Sequence, residues 1–369
     1  MSEKIVLLGC GDVGPIHEPI GSYSELVRDT LASADIRFAQ VERTYSERGE
    51  LRPDGGAHGR LPPRMASVLT DCGFNVASLA GNHAMDWGPE ALLDTIELLR
   101  GMGIQTIGAG RDLAEARRPA IIACKGLRVA MLAYCSVLHE GYAAGPDTPG
   151  VAPMRANARF EPVDYQPGVP PRVVTTPDEH DLADLVADVR AAKERADVVV
   201  LSMHLGVHFV PRIIADYQRT VAQAAFAAGA DLILGHHAHV PKAIEVFDGG
   251  KTCFYSLSNF IMSSSPKVTG GADEFRRNYG VPLDPEYPNM PYGVDGKRSL
   301  IAKAVLARGT PIRTSFLPVL IDRQLRPQTL HAGDPRFDDM LRYMDWASEG
   351  FPHHFTVEGD EIVVAAPAR

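Results

Sequence analysis

Nothing in the 369 residues approaches a run of about 18 consecutive apolar side chains, so no segment reads as a membrane-spanning helix. Basic charge is also in short supply. Lys and Arg number 37 against 46 Asp and Glu, a formal net charge of −9, which argues against a general binder of nucleic acid or of acidic membranes. Cysteine is sparse: Cys10, Cys72, Cys124, Cys135 and Cys253 are scattered with no CxxC spacing. That pattern excludes a thiolate metal cluster and a disulfide scaffold, and reads as reduced thiols in a cytoplasmic protein. The opening "MSEKIVLLGCGD" has one lysine and an apolar run too short for a secretory leader, and it reads as a first buried strand. Repeats and low-complexity tracts are absent too. What remains is ordinary soluble globular composition, 45% hydrophobic and 22% charged, long enough for one large domain or one and a half.

The hydrophobic pattern alternates short apolar runs with amphipathic stretches. "KIVLLGC", "IRFAQVE", "NVASLAG", "DVVVLSMH", "DLILG" and "KTCFYSLSNF" read as strands. Between them "SYSELVRDTLASA", "PPRMASVLTDCGF", "GPEALLDTIELLRGMG", "DEHDLADLVADVRAAKERA" and "RIIADYQRTVAQAAFAAG" read as helices. "AIIACKGLRVAMLAYC" reads as a hairpin turning at Lys125-Gly126. Near-continuous apolar strands alternating with helices imply a layered α/β sheet. Two Pro-, Gly- and Tyr-rich segments, 138–172 and 263–297, break the rhythm as long loop insertions that cover a site or meet a partner. One domain over 1–321 with a C-terminal extension, 322–369, packing on it accounts for the whole chain.

In open α/β sheets ligands bind at the carboxyl ends of the strands. Asp12 follows the first strand, Glu42 the second, Asn82, His83 and Asp86 the third. His204 ends "DVVVLSMH", and "DLILG" opens into His236, His237 and His239. Any one of these has a bland explanation, a helix cap or a hydrogen-bonded imidazole. Five coincidences at one topological position have a shared cause. Carboxylate, carboxamide and imidazole form a hard-to-borderline donor set suited to Mn, Fe or Zn and poor for copper(I) or iron–sulfur clusters. One carboxylate between two ions suits a two-metal site. His237 and His239, two apart, share a side of an extended segment, which turns His236 the other way as a hydrogen bonder that orients a ligand, with direct ligation the alternative.

The motifs "GDV" after the first strand, "VE" at Glu42, "AGNHAMDWG", "MHLGVHF", "LGHHAHVPKAIEVF" and "YSLSNF" together resemble the CapA-type poly-γ-glutamate capsule biosynthesis proteins, within the calcineurin-like metallophosphoesterases. The resemblance runs from residue 11 to residue 260 and implies a four-layer α/β/β/α metallophosphoesterase-like sandwich with a dinuclear metal centre at one sheet edge. It implies Asp12 and His239 on the first metal, Glu42 bridging, and Asn82, His204 and His237 on the second. The ions expected are two divalent metals, manganese first, with zinc or iron as alternatives. His83 then stabilises the transition state or protonates the leaving group, oriented by Asp86.

Two departures from that family stand out. The wider superfamily carries Asp-x-His after its first strand, whereas this chain has Asp12-Val13-Gly14, so water, His17 or His208 is left to complete the first site. Capsule-associated members commonly carry an N-terminal membrane segment. This chain starts at its first strand, which suits a cytoplasmic protein with a small soluble, anionic substrate. Arg43 and Arg64 are candidates to hold a carboxylate or phosphate, surface arginines being the alternative. Ser256, Ser258 and Asn259 read as support for the histidine loop, Trp87 as pocket wall or core, and His353 and His354 as surface residues. The expected function is metal-dependent hydrolysis of a phosphoester or of an amide or lactam. The alternative is a non-catalytic capsule assembly protein, and self-association is left open.

Overall fold

The structure, a computed structural model, describes residues 4–55, 59–265 and 270–367. Residues 266–269 of the second insertion lie outside the described residues. Two sheets face each other. The larger runs His354–Glu358, Glu361–Ala365, Arg313–Ile321, Arg298–Leu306, Ile5–Gly14, Ile36–Val41, Val76–Ser78 and Gln105–Ile107 from edge to edge. The smaller runs Ile244–Phe247, Lys251–Phe254, Leu232–His236, Val198–His204, Leu127–Cys135 and Ala120–Cys124. Ile5–Gly14, Ile36–Val41, Val76–Ser78 and Gln105–Ile107 run parallel in the larger sheet and Lys251–Phe254, Leu232–His236, Val198–His204 and Leu127–Cys135 in the smaller, whereas Arg298–Leu306 is antiparallel to both its neighbours.

Val200, Leu234 and Phe254 of the smaller sheet join Leu7, Phe38 and Val76 of the larger in one buried cluster. The sheets approach closely at Gly9, where a Cβ would fall 2.7 Å from Leu234 Cδ1. Helices Glu179–Arg195 and Asp216–Ala228 lay Leu185, Val189, Val221, Ala225 and Phe226 on the outer face of the smaller sheet. The first four parallel strands of the larger sheet are joined in chain order by short helices and by Gly88–Gly101. Right-handed crossovers put these helices on its outer face. The layers are α/β/β/α, as the resemblance implies.

Several elements differ from their sequence reading. "SYSELVRDTLASA" forms a 3-10 turn at Ile20–Ser24 and a helix only over Arg28–Ala32, because Val27 at φ −128° interrupts it. "KTCFYSLSNF" is two strands, not one. Lys251–Phe254 belongs to the smaller sheet and Asn259–Met262 pairs with Ile5–Gly14 in the larger. Ser258, at φ +70°, turns the chain from one sheet to the other. Insertion 138–172 is not all loop, since Ala156–Glu161 pairs with Arg172–Pro177 in a two-stranded ribbon. Beyond residue 322 the chain forms helix Pro335–Ser348, capped by Asp334, and the strand pair that completes one edge of the larger sheet.

Candidate metal centre

Asp12 sits within the first strand at a double irregularity. The register slips between Gly9 and Asp12 against the Ile36 strand and between Asp12 and Val13 against the Asn259 strand. Bulges of this kind re-aim a side chain. The arrangement needs Gly11, whose Cβ would lie 2.0 Å from the Ser258 carbonyl oxygen; with glycine there, Asp12 N donates to that oxygen at 3.0 Å. Glu42 follows the neighbouring strand and its N–H donates to Val13 O at 2.9 Å. Asn82 and His83 lie on the turn after Val76–Ser78, and His204 and His236 are paired final residues of adjacent strands.

His237 and His239 do converge, but not by strand alternation. The chain leaves the strand and both adopt positive φ, +85° and +56°, placing their ring centroids 6.5 Å apart. The same break overturns the expectation for His236. Its Nδ1 lies 3.3 Å from Asp12 Oδ1, with both side chains fully buried, so it faces the cluster on the Asp12 side.

The donors fall into two adjoining groups. His204 Nε2 is 2.6 Å from Asn82 Oδ1, 3.2 Å from His237 Nδ1 and 3.8 Å from Glu42 Oε2. On the other side, Asp12 Oδ2 is 3.6 Å from His239 Nδ1. Donor atoms of Asp12, Glu42 and His204 all lie within 4.8 Å of one another. Metal–ligand bonds of about 2.0–2.2 Å produce donor–donor edges of about 3–3.5 Å, so these donors are gathered near coordination distance and need small shifts to close around an ion. His239 Nδ1 also meets Asn259 Oδ1 at 2.7 Å, and Asn259 Nδ2 donates to His239 O, the loop support read for Asn259.

Electrostatics point the same way. Both Glu42 carboxyl oxygens are buried without a hydrogen-bond partner. Burial, then the nearby Asp12 and Asp86 charges, push the Glu42 carboxyl well above its usual range, against the pull of Arg43. Burial works to raise Asp12, but His236, His204 and His239 outweigh it and hold the group below the usual value. Burial drives His204 down to about 3, with the other imidazoles adding to the effect and Asp12 opposing it. Burial depresses His237 and His239 as well. Neutral imidazoles around a carboxylate with no internal partner form a set that fits a divalent cation.

His83 is placed differently. Its Nδ1 donates to Asp86 Oδ2 at 2.8 Å, and Tyr142 OH donates to Asp86 Oδ1 at 2.8 Å. Its Nε2 lies 4.0 Å from Glu42 Oε1, and the side chain is 14% exposed where the surrounding donors are almost closed off. Tyr142 was invisible in the sequence, for it comes from the aperiodic insertion 138–172. His208 lies tilted against His237 at 3.8 Å and stacks on Phe209 at 4.6 Å, on the His237 side of the cluster, and it lines the same cavity as His83, which leaves it placed for packing and for substrate contact alike. A cavity of about 280 Å³ opens beside His83 and His239, walled by Phe209, Tyr279 and Tyr292 with Glu274 at its rim. Insertion 263–297 thus covers the site.

The structure does not bring His17 or Arg64 into the cluster. His17 lines a separate depression with Tyr23 and Asn289, and Arg64 pairs with Glu18 at 2.5 Å. Arg43 is buried behind Glu42, donating to Gly14 O, Ser263 O and Ser264 Oγ. Trp87 lies under the Arg60 guanidinium at 4.6 Å, and His353 meets Asp345 at 3.2 Å, away from the cluster.

A family described as "Bacterial capsule synthesis protein PGA_cap" matches residues 17–264. The PGA biosynthesis protein CapA of Bacillus subtilis (strain 168) is 32% identical over 219 residues, 59% of this chain and 50% of that one. A probable polyglutamine synthesis accessory protein of Mycobacterium tuberculosis (strain ATCC 25618 / H37Rv) is 30% identical over 271 residues, 70% of this chain and 64% of that one. The chain therefore spans half to two thirds of the length of these relatives. Among solved structures, a hypothetical protein from Thermus thermophilus superposes with TM-score 0.46 at 16% identity, covering 85% of this chain and 99% of that one. The calcineurin-like phosphoesterase YfkN from Bacillus subtilis does so with TM-score 0.40 at 12% identity, covering 85% and 91%.

Proposed function

Because the chain belongs to the bacterial capsule synthesis protein family, we propose that it is a metal-dependent hydrolase of that family, cleaving a phosphoester or an amide or lactam bond of an anionic substrate. Asp12 and His239, with His236 beside them, would hold one divalent ion; Asn82, His204 and His237 would hold a second, with Glu42 between. Manganese is the ion expected, with zinc or iron as alternatives. Bound there, such ions lower the pKa of a coordinated water and polarise the oxygen of the bond attacked. The remaining work falls to the protein. Asp86 and Tyr142 hold His83 at the cavity wall, with Nε2 3.0 Å from Asn82 Nδ2 and 4.0 Å from Glu42 Oε1, where it would meet a leaving group that needs a proton. The buried Glu42, Asp12 and imidazoles keep bulk water from competing for the centre.

The observation that carries this reading is the held His83. A site that merely stabilised the fold would have no use for a part-exposed imidazole braced by two further side chains at the mouth of a cavity. A second reading, a non-catalytic accessory protein of capsule synthesis, draws support from the Mycobacterium relative, which is named an accessory protein. We place the protein in the cytoplasm, without nucleic-acid or membrane partners; no helix among the described residues is long and apolar enough to cross a membrane. Chelation should abolish turnover in a screen of phosphomonoesters, phosphodiesters and γ-glutamyl amides, and Mn²⁺ should restore it. His83→Ala should keep the metal, by elemental analysis, and lose turnover. A metal-loaded wild type inert toward the whole screen decides for the accessory reading.

A further inference from the structure

Beside the metal cavity lies a second one, of about 420 Å³, lined by Arg43, Arg60 and Arg64 with Glu18. Ser264 lines both cavities, and its Oγ accepts from Arg43 Nη2 at 2.8 Å, so the two share a wall. Three arginines lining one cavity with a single carboxylate stand out in a chain of net charge −9. Two of the three are held by uncharged partners. Arg43, 4% exposed, donates to two carbonyls and a hydroxyl. Arg60 donates to Gly49 O at 2.9 Å and lies over the Trp87 ring. Among the described residues Arg64 forms an ion pair with Glu18, exposed at 66% and 54%, and Arg43 lies near enough to Glu42 to pull its carboxyl down.

We infer that this basin is a second subsite, binding an oxyanion that the substrate carries at a distance from the bond cleaved. The inference rests on the hydrolase reading in taking the ligand to be the substrate's anionic arm. Guanidinium forks recognise planar oxyanions bidentately, and here the arginines are pre-positioned by stacking and by carbonyls. Arg43 follows Glu42 directly in the chain and Ser264 lines both cavities, so the basin adjoins the metal cavity. Glu18 occupies the Arg64 fork when no ligand is present and competes with it. The substrate class this selects is an extended one, with its reacting bond at the metal cavity and a carboxylate or phosphate in the basin.

The test is equilibrium binding by calorimetry to the metal-loaded full chain, read without turnover, so a protein that hydrolyses nothing still passes or fails it. The probes are a glutamate trimer and inorganic phosphate, at low and high salt. The double variant R60M/R64M should weaken binding of the oxyanion probe by about tenfold and flatten its salt dependence, with metal content and thermal unfolding unchanged. Glu18→Gln should tighten it severalfold, a gain that no folding defect can mimic. A response of the trimer assigns a carboxylate arm, and a response of phosphate alone assigns a phosphate-bearing one. Affinities for both probes that are the same in wild type, R60M/R64M and Glu18→Gln overturn the proposal.

Discussion

Glu42→Gln separates two demands that the metal centre places on one side chain. In the metal-free protein, Glu42 is buried with no hydrogen-bond partner and with Asp12 and Asp86 close by, so its carboxyl holds a proton to higher pH than in the unfolded chain. Between the ordinary carboxyl value of 4.5 and the raised folded value, the folded state binds one proton more than the unfolded state. Stability from this group is therefore fully present at low pH and drains away as pH rises, at about 1.4 kcal/mol per pH unit. Glutamine carries no such proton. The histidines work in the opposite direction: His204, His237 and His239 are depressed by burial and remove stability as pH falls below about 6.5. They are common to both proteins and cancel in the difference. Urea unfolding with a chelator, in a pH series upward from 5, should show wild type losing ground to Glu42→Gln by about 1.4 kcal/mol per unit. With Mn²⁺ present the order should reverse. Wild type gains about 2.7 kcal/mol at a hundredfold excess of ion over its dissociation constant, and the variant gains little. Parallel pH profiles without metal, or equal stabilisation by metal, would refute the account of Glu42 as a buried carboxyl awaiting a cation.

Tyr142→Phe removes the donor to Asp86 Oδ1 and should cost about 1–2 kcal/mol in thermal unfolding while lowering turnover and sparing metal content. Gly11→Ala forces a methyl into the Ser258 carbonyl. On the order of 1–3 kcal/mol of stability should go, along with metal affinity, checked by elemental analysis of the folded fraction. Lys242 Nζ, buried, donates to Val210 O and Ile213 O at 2.7 Å, tying down the loop that carries His208 and Phe209. Lys242→Met should raise amide exchange selectively in residues 206–215; unaltered protection there would show that the loop is held by other means.

Much of this arrangement was legible before any coordinates. Asp12 lies near the end of a largely apolar strand, Glu42, Asn82 and His204 end or follow others, and strand direction in a parallel sheet brings such ends to one rim. Legibility failed where the backbone left regular geometry. The alternation that assigned His236 to the far side ends at His237, whose positive φ no periodicity announces. Tyr142 comes from a segment with turn residues and no period, so nothing local linked it to Asp86, 56 positions earlier. The switch at Ser258 was hidden because both halves of "KTCFYSLSNF" are strand-like, and which sheet each joins depends on partners far away in the chain.

That short crossing has a mechanical meaning. Between residues 254 and 259 the polypeptide acts as a stitch through both halves of the sandwich: Leu257 N is tied to Gly235 O on one side and Asp12 N to Ser258 O on the other. Asp12, Glu42 and Asn82 ride on one half, His204 and the 236–239 histidines on the other. The gap they must span is therefore set by how two rigid plates are sewn together, not by any surface excursion. Insertions 138–172 and 263–297 can then be lengthened, trimmed or exchanged to suit new reactants while the distance between the two banks of donors stays put.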